Sequence, residues 1–242
     1  MRTCCRIVIR MSEAVILAGG QGLRLRPLTS EMPKPMVILG GRPIAERQIL
    51  WLRRNGISRV IFACGYRHEK IREYFGNGED FGLDVRYSVE REDRPLGTGG
   101  AIKQALKLVK SSPFIVVNGD ILTDLEIGDL IRWHNGHGFV CTIVAGPLQC
   151  PYGILDVSKE SNRVFGFREK PVFSDVLVNA GIYVLKKNVA KFLPETGDIE
   201  RATFPQLAKA GSLGVYRLKC WWTTIDTTKD LQAAEEDLEH IS

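Results

Sequence analysis

Residues 14–35 read AVILAGGQGLRLRPLTSEMPKP, and this stretch decides the fold. Ala14–Gly19 is a continuous apolar run ending in glycine, the pattern of a strand buried on both faces of a parallel sheet. Gly19, Gly20 and Gly22 follow it directly. Glycines there let the main chain approach a ligand and turn its N–H groups inward, which suits a phosphate. Leu25 stands where the dinucleotide fingerprint wants its third glycine, and no Gly-Lys-Ser/Thr completes a Walker loop. A glycine-rich turn carrying two solvated cations, Arg24 and Lys34, is the plain alternative. Pro33 and Pro35 argue against it, because two prolines fixing the backbone around one lysine are an unusual way to present a merely solvated charge.

Outward from this loop, short β-type runs alternate with helical patterns. Pro43–Arg54 carries Ala45, Ile49 and Leu52 at helical spacing, and Asn55-Gly56 closes it. Arg59–Gly65 and Phe114–Val117 read as buried strands, and Val85–Glu90 as a third. His68–Phe75 and Thr98–Lys110 read as helices. This order implies an α/β fold with a Rossmann-like, doubly wound, mostly parallel mixed sheet. The second half is richer in strands, at Phe139–Gly146, Tyr152–Val157, Val164–Phe167, Val178–Leu185 and Gly214–Leu218. Helices are expected at Ile199–Ala210 and Thr227–Glu239. Residues 1–10, with Arg2, Arg6 and Arg10, read as a disordered extension before Met11, itself a candidate start; residues 11–242 read as a single domain.

Composition excludes several classes. The 242 residues are 44% apolar and 25% charged, ordinary globular values. Thirty-three basic residues face 28 acidic ones, a net of +5. Setting aside the three arginines of the extension lowers that to +2. The cations show no clustering with a readout motif, so nucleic acid is not an expected partner. No apolar stretch reaches the 18 or more residues of a membrane span. The six cysteines contain no C-x-x-C pair, and Cys64 and Cys141 lie in apolar runs, which points to reduced thiols and a cytoplasmic location.

The remaining polar motifs each have a bland reading. Asp120 in Asn118-Gly119-Asp120 is a turn aspartate, and Asp226 is a helix N-cap before Thr227. Leu96–Ala101 is a helix start with glycine spacers, and Glu169-Lys170 is an exposed charge pair. His134 and His137 lack a third ligand for zinc.

Taken in order, however, these segments resemble the sugar-1-phosphate nucleotidyltransferases, also called nucleoside-diphosphate-sugar pyrophosphorylases. The likeness runs from the glycine loop, Arg24 and Pro33-Lys34-Pro35 through Leu96–Ala101, Asn118–Asp120, Tyr152-Gly153, Glu169-Lys170-Pro171 and Val178–Gly181 to Trp222 and Asp226-Thr227. It covers residues 13 to about 238. Leu23 departs from it, since the family usually has threonine there. The resemblance is strongest toward mannose-1-phosphate and manno-heptose-1-phosphate guanylyltransferases. Thymidylyl or uridylyl transfer to glucose-1-phosphate is the alternative, as is a non-catalytic subunit that binds a sugar nucleotide. No C-terminal β-helix domain is expected.

The resemblance implies that a sugar-1-phosphate oxygen attacks the α-phosphorus of a nucleoside triphosphate, GTP by preference, and that pyrophosphate leaves. Two anions must meet, so cations have to line the path of attack. Arg24 would grip the β- and γ-phosphates, since its planar fork binds phosphate oxygens bidentately. Lys34 would serve the α-phosphate and Lys170 the sugar phosphate. Leu17, Ala18, Gly19, Gly20 and Gly22, with Leu96, Gly97 and Thr98, would hold the nucleotide. Tyr152, Gly153, Glu169, Lys170 and Asn179 would hold the sugar. Asp120 and Asp226 would be the Mg²⁺ carboxylates, because magnesium takes few protein oxygens beside phosphates and water. The expected partners are therefore the triphosphate and the sugar-1-phosphate, and a homo-oligomer is compatible with the reading.

Overall fold

The computed structural model describes residues 13–238. The expected extension at residues 1–10 and the start at Met11 lie outside the described residues. Thirteen strands and six α-helices are found among the described residues. The first half contains β1 (Glu13–Ala18), β2 (Ile38–Leu39), β3 (Arg42–Pro43), α1 (Ile44–Arg54), β4 (Arg59–Cys64), α2 (His68–Phe75), β5 (Asp84–Val89), α3 (Gly97–Ala105) and β6 (Phe114–Asn118). The second contains β7 (Ile121–Thr123), α4 (Ile127–His137), β8 (Cys141–Gln149), β9 (Ile154–Val157), β10 (Val164–Arg168), β11 (Val172–Leu185), α5 (Ile199–Lys209), β12 (Leu213–Arg217), β13 (Trp222–Thr224) and α6 (Thr228–Glu236).

Seven strands form one sheet in the order β12-β8-β11-β6-β1-β4-β5. β6, β1, β4 and β5 run parallel, and only β11 lies antiparallel to its neighbours, β6 and β8. The alternation along β1 explains the double winding. Ala14, Ile16 and Ala18 face one core with α1, α2 and α4, while Val15 faces the other with α3 and α5. Both faces are covered, so β1 and β4 read as unbroken apolar runs.

After β1 the chain winds to β4 and β5 on one side, then returns to β6 on the other. The order of strands thus reverses between β1 and β6, and their carboxyl ends open a crevice there. Gly119 marks how close the two ends come. Its N–H donates to the carbonyl of Leu17 at 2.9 Å, and a methyl group on it would stand 2.6 Å from that oxygen.

Several elements differ from the sequence expectation: the short strands β2, β3, β7 and β13 were not foreseen, and α3 ends at Ala105 where Lys110 was expected. α4 was not foreseen, and β11 begins six residues before the expected Val178. The N-terminus of α4 is satisfied from outside, since Asn55 Oδ1 accepts the Ile127 N–H at 2.8 Å. No local capping residue therefore announces the helix, and Gly128 and Gly136 inside it read as breakers. Trp222 packs against the first core, and its indole N–H donates to the Ala180 carbonyl at 2.8 Å.

Candidate active site

The loop after β1 alternates inward and outward side chains. Leu25 is fully buried in a small apolar cluster with Val37, Leu39, Ile44, Leu122, Ile225 and Ala234, whereas Leu23 is 59% exposed. A leucine at position 25 thus pins the loop where a dinucleotide site would use glycine. Thr29 Oγ1 donates to the Gly22 carbonyl at 2.8 Å and holds the loop from its far side. Arg24, between the two leucines, reaches into the crevice. Next, Pro35 and Met36 are buried, and the short turn Lys34–Met36 aims the Lys34 side chain back under the loop.

Lys34 Nζ donates to Asp120 Oδ2 at 2.6 Å and to Asp226 Oδ1 at 2.7 Å. Arg24 Nη2 donates to the same Asp226 oxygen at 3.0 Å. Two carboxylates and two cations, drawn from four segments, therefore share one point. The backbone enforces this meeting. β13 pairs with β7, and the Ile225 N–H donates to the carbonyl of Asp120 at 2.9 Å. Gln48 Nε2 donates to the carbonyls of Asn118 and Ile121, both at 2.8 Å, and so clamps the turn that carries Asp120. Asp226 is not the cap of α6. Thr227 is, with a reciprocal capping box to Asp230, which leaves the Asp226 carboxylate to the cleft.

The cleft measures about 590 Å³. Leu17, Ala18, Gly19, Gly20 and Gly22 line it with Arg24 and Lys34, and so do Gly97, Thr98, Asp120 and Asp226. Leu96 does not; its N–H donates to Glu90 Oε2 at 2.8 Å. The expected sugar group lies apart from this cleft, on and beside the β9–β10 hairpin and on β11. Tyr152 is 74% exposed, and Lys170 Nζ stands 3.8 Å from Glu169 Oε1. Lys170 itself sits at φ 43°, an uncommon left-handed conformation for a lysine. Asn179 is exposed, with its amide held by Tyr183 and the Gly181 N–H.

Two lining residues, Glu90 and Asp198, were not singled out from the sequence. Glu90 sits over the glycine loop: a methyl group at Gly19 would collide with its Oε1, which explains the glycine there. Burial raises the Glu90 carboxyl above the usual carboxylate range, and the Leu96 N–H partly offsets this. An acidic stretch from Glu90 to Asp93 was visible in the sequence, but nothing local indicated which carboxylate faces inward.

The comparisons with known proteins agree with this geometry. Residues 13–240 match the family model described as nucleotidyl transferase. The chain belongs to the nucleotidyl transferase family. Among its relatives is a mannose-1-phosphate guanyltransferase of Kluyveromyces lactis, 38% identical over 227 residues, which span 90% of this chain and 62% of that protein. A protein of the same name from Yarrowia lipolytica is 36% identical over 225 residues. The chain thus spans about three-fifths of the length of these relatives. HddC from Yersinia pseudotuberculosis superposes with a TM-score of 0.76 at 30% identity, over 94% of this chain and all of HddC. It has also been crystallised with GMP-PN. The crevice at the β1–β6 switch point lies where open α/β sheets collect ligands.

Proposed function

We propose that this chain transfers a guanylyl group from GTP to a sugar-1-phosphate of the manno series, mannose-1-phosphate or manno-heptose-1-phosphate, and releases pyrophosphate. The observation that carries the reading is the convergence of Arg24, Lys34, Asp120 and Asp226 beside the glycine loop. In this reaction an oxygen of the sugar phosphate bonds to the α-phosphorus, and the bond from α-phosphorus to the β-bridging oxygen breaks. Arg24 and Lys34 supply fixed positive charge on the triphosphate side, and Lys170 supplies it for the sugar phosphate.

The donor set fits a divalent metal. Asp120 and Asp226 already converge on one cationic atom, and Asn118 Oδ1 is buried in the same crevice without a protein partner. Two carboxylates beside phosphates and water are what Mg²⁺ takes, and when bound it would neutralise phosphate charge.

Glu90 favours guanine. The guanine edge offers two adjacent donors, N1–H and N2–H, which a carboxylate accepts together. Uracil and thymine offer one donor between two carbonyls, which a carboxylate repels. The names of the relatives point the same way. Free thiols at Cys64, Cys141, Cys150 and Cys220 support action in the reducing cytosol. Pyrophosphate release with Mg²⁺, four triphosphates and mannose-, manno-heptose- and glucose-1-phosphate tests the reading. GTP with a manno sugar should give the highest kcat/KM. Preference for UTP or TTP with glucose-1-phosphate would overturn the base and sugar. No turnover with any pair, together with tight binding of a nucleotide sugar, would make the chain a regulatory subunit.

A further inference from the structure

Behind the cleft wall, four polar side chains form a chain of hydrogen bonds that converges on one carboxylate. Asn179 Nδ2 donates to the Tyr183 hydroxyl at 2.9 Å, and that hydroxyl donates to Glu200 Oε1 at 3.3 Å. From the other side, Thr98 Oγ1 donates to Glu200 Oε2 at 2.7 Å. Each side chain has a fixed role. The Thr98 oxygen also accepts the Ile199 N–H at 2.9 Å, and Asn179 Oδ1 accepts the Gly181 N–H at 2.9 Å, which settles which end of the amide faces Tyr183. Every donor therefore runs toward the Glu200 carboxylate, the one acceptor-only group of the set.

On the function proposed above, the elements joined in this way belong to the two sides of the reaction. Thr98 is on α3, whose first turn lines the cleft read as the nucleotide site, and Asn179 is on β11, among the residues that the resemblance assigns to the sugar. The segment before Glu200 is docked on α3 as well. The Gly197 carbonyl accepts from Gly99 N at 2.9 Å and Gly100 N at 3.2 Å, and Gly197 N donates to Leu96 O at 2.7 Å. The hydroxyl of Tyr183 lies on a fully buried side chain, so no solvent replaces it if it is removed.

We propose that Glu200 is a positioning residue for the transfer: its carboxylate fixes Thr98 at the nucleotide end and, through Tyr183, Asn179 at the sugar end. This rests on the reading of the chain as a sugar-1-phosphate nucleotidyltransferase. It assigns Tyr183 to the sugar side alone and Glu200 to both sides, so the two variants have different kinetic signatures.

The test is steady-state pyrophosphate release by the whole protein, with KM determined separately for each substrate. Tyr183→Phe should raise KM for the sugar-1-phosphate about tenfold and leave KM for the triphosphate within about twofold, the scale of one buried hydrogen bond. Glu200→Gln should raise both KM values and lower kcat. Thr98→Val should raise KM for the triphosphate alone. Equal changes in both KM values for Tyr183→Phe, or a fall in melting temperature with neither KM changed, would overturn the proposal and leave a purely structural role. If Glu200→Gln does not fold, Tyr183→Phe and Thr98→Val still decide. Absence of turnover in the parent protein would instead overturn the functional reading beneath it.

Discussion

Replacing Asp226 by asparagine and Thr227 by alanine separates two roles held by neighbouring residues. Asp226 Oδ1 meets Lys34 Nζ at 2.7 Å and Arg24 Nη2 at 3.0 Å, and all three groups retain some exposure to water. Ion pairs of that kind contribute about 0–1 kcal/mol to stability, so Asp226→Asn should move the melting temperature by no more than about 3 °C. Its effect on the reaction should be far larger. The cleft loses one of the two carboxylates that meet Lys34, and the point where the phosphates must be neutralised keeps only Asp120. A loss of about 10³-fold in kcat is expected, equivalent to about 4 kcal/mol. Thr227→Ala should do the opposite. It removes the side chain that accepts the Asp230 N–H at 3.2 Å, a cap contributing about 1 kcal/mol, and should lower the melting temperature by about 2–4 °C with little change in rate. Pyrophosphate release and thermal unfolding on the same preparations give both readings. If Asp226→Asn kept more than a tenth of parental kcat, the assignment of its carboxylate to the reaction would fall.

Three further outcomes follow from other features. Glu90→Gln should lower kcat/KM for GTP by about 10–100-fold and narrow the gap to UTP, because the amide presents one acceptor and one donor where guanine needs two acceptors; an unchanged ratio of kcat/KM values would remove Glu90 from base selection. Burial, with a smaller contribution from Lys186, holds the His134 imidazole down at about 4 from its ordinary 6.5. The unfolded chain then binds the extra proton first, so stability is complete above about pH 6.5 and falls by up to about 3 kcal/mol as pH drops toward 4; urea unfolding at pH 7.5 and 4.5 should show this loss reduced in His134→Gln. Leu25→Ala should cost about 2–5 kcal/mol, since the side chain is fully buried, and should raise KM for the triphosphate through the loosened loop. Denaturant midpoints and KM measured together check it.

Parts of this architecture were plain in the sequence because they are local. β1 and β4 are buried on both faces, so their apolar runs leave little choice of structure, and the glycines after β1 announce the turn that follows. The place of Asp120 follows from the winding order once the strands are known. What could not be read locally depends on distant partners. α4 takes its cap from Asn55, 72 residues earlier in the chain. The inward turn of Glu90 depends on its bond to the Leu96 N–H and on the space above Gly19. Asp226 looked like a cap because the sequence places it before a helix, and only the fold shows that Thr227 takes that role. Likewise Thr98 was read for the nucleotide, yet its hydroxyl is taken up by Glu200 and the Ile199 N–H.

The main-chain bond from Ile225 to Asp120 has a consequence for the order in which the molecule comes into being. Arg24 and Lys34 lie roughly 200 residues upstream of Asp226, so a ribosome has released nearly the entire Rossmann-like half before the second carboxylate leaves the exit tunnel. Until β13 docks on β7, Lys34 has only Asp120 of its two carboxylate partners, Arg24 lacks Asp226, and Leu25 lacks the packing of Ile225 and Ala234. The point shared by the four charged side chains is therefore completed in a single late step, together with the packing that pins the glycine loop.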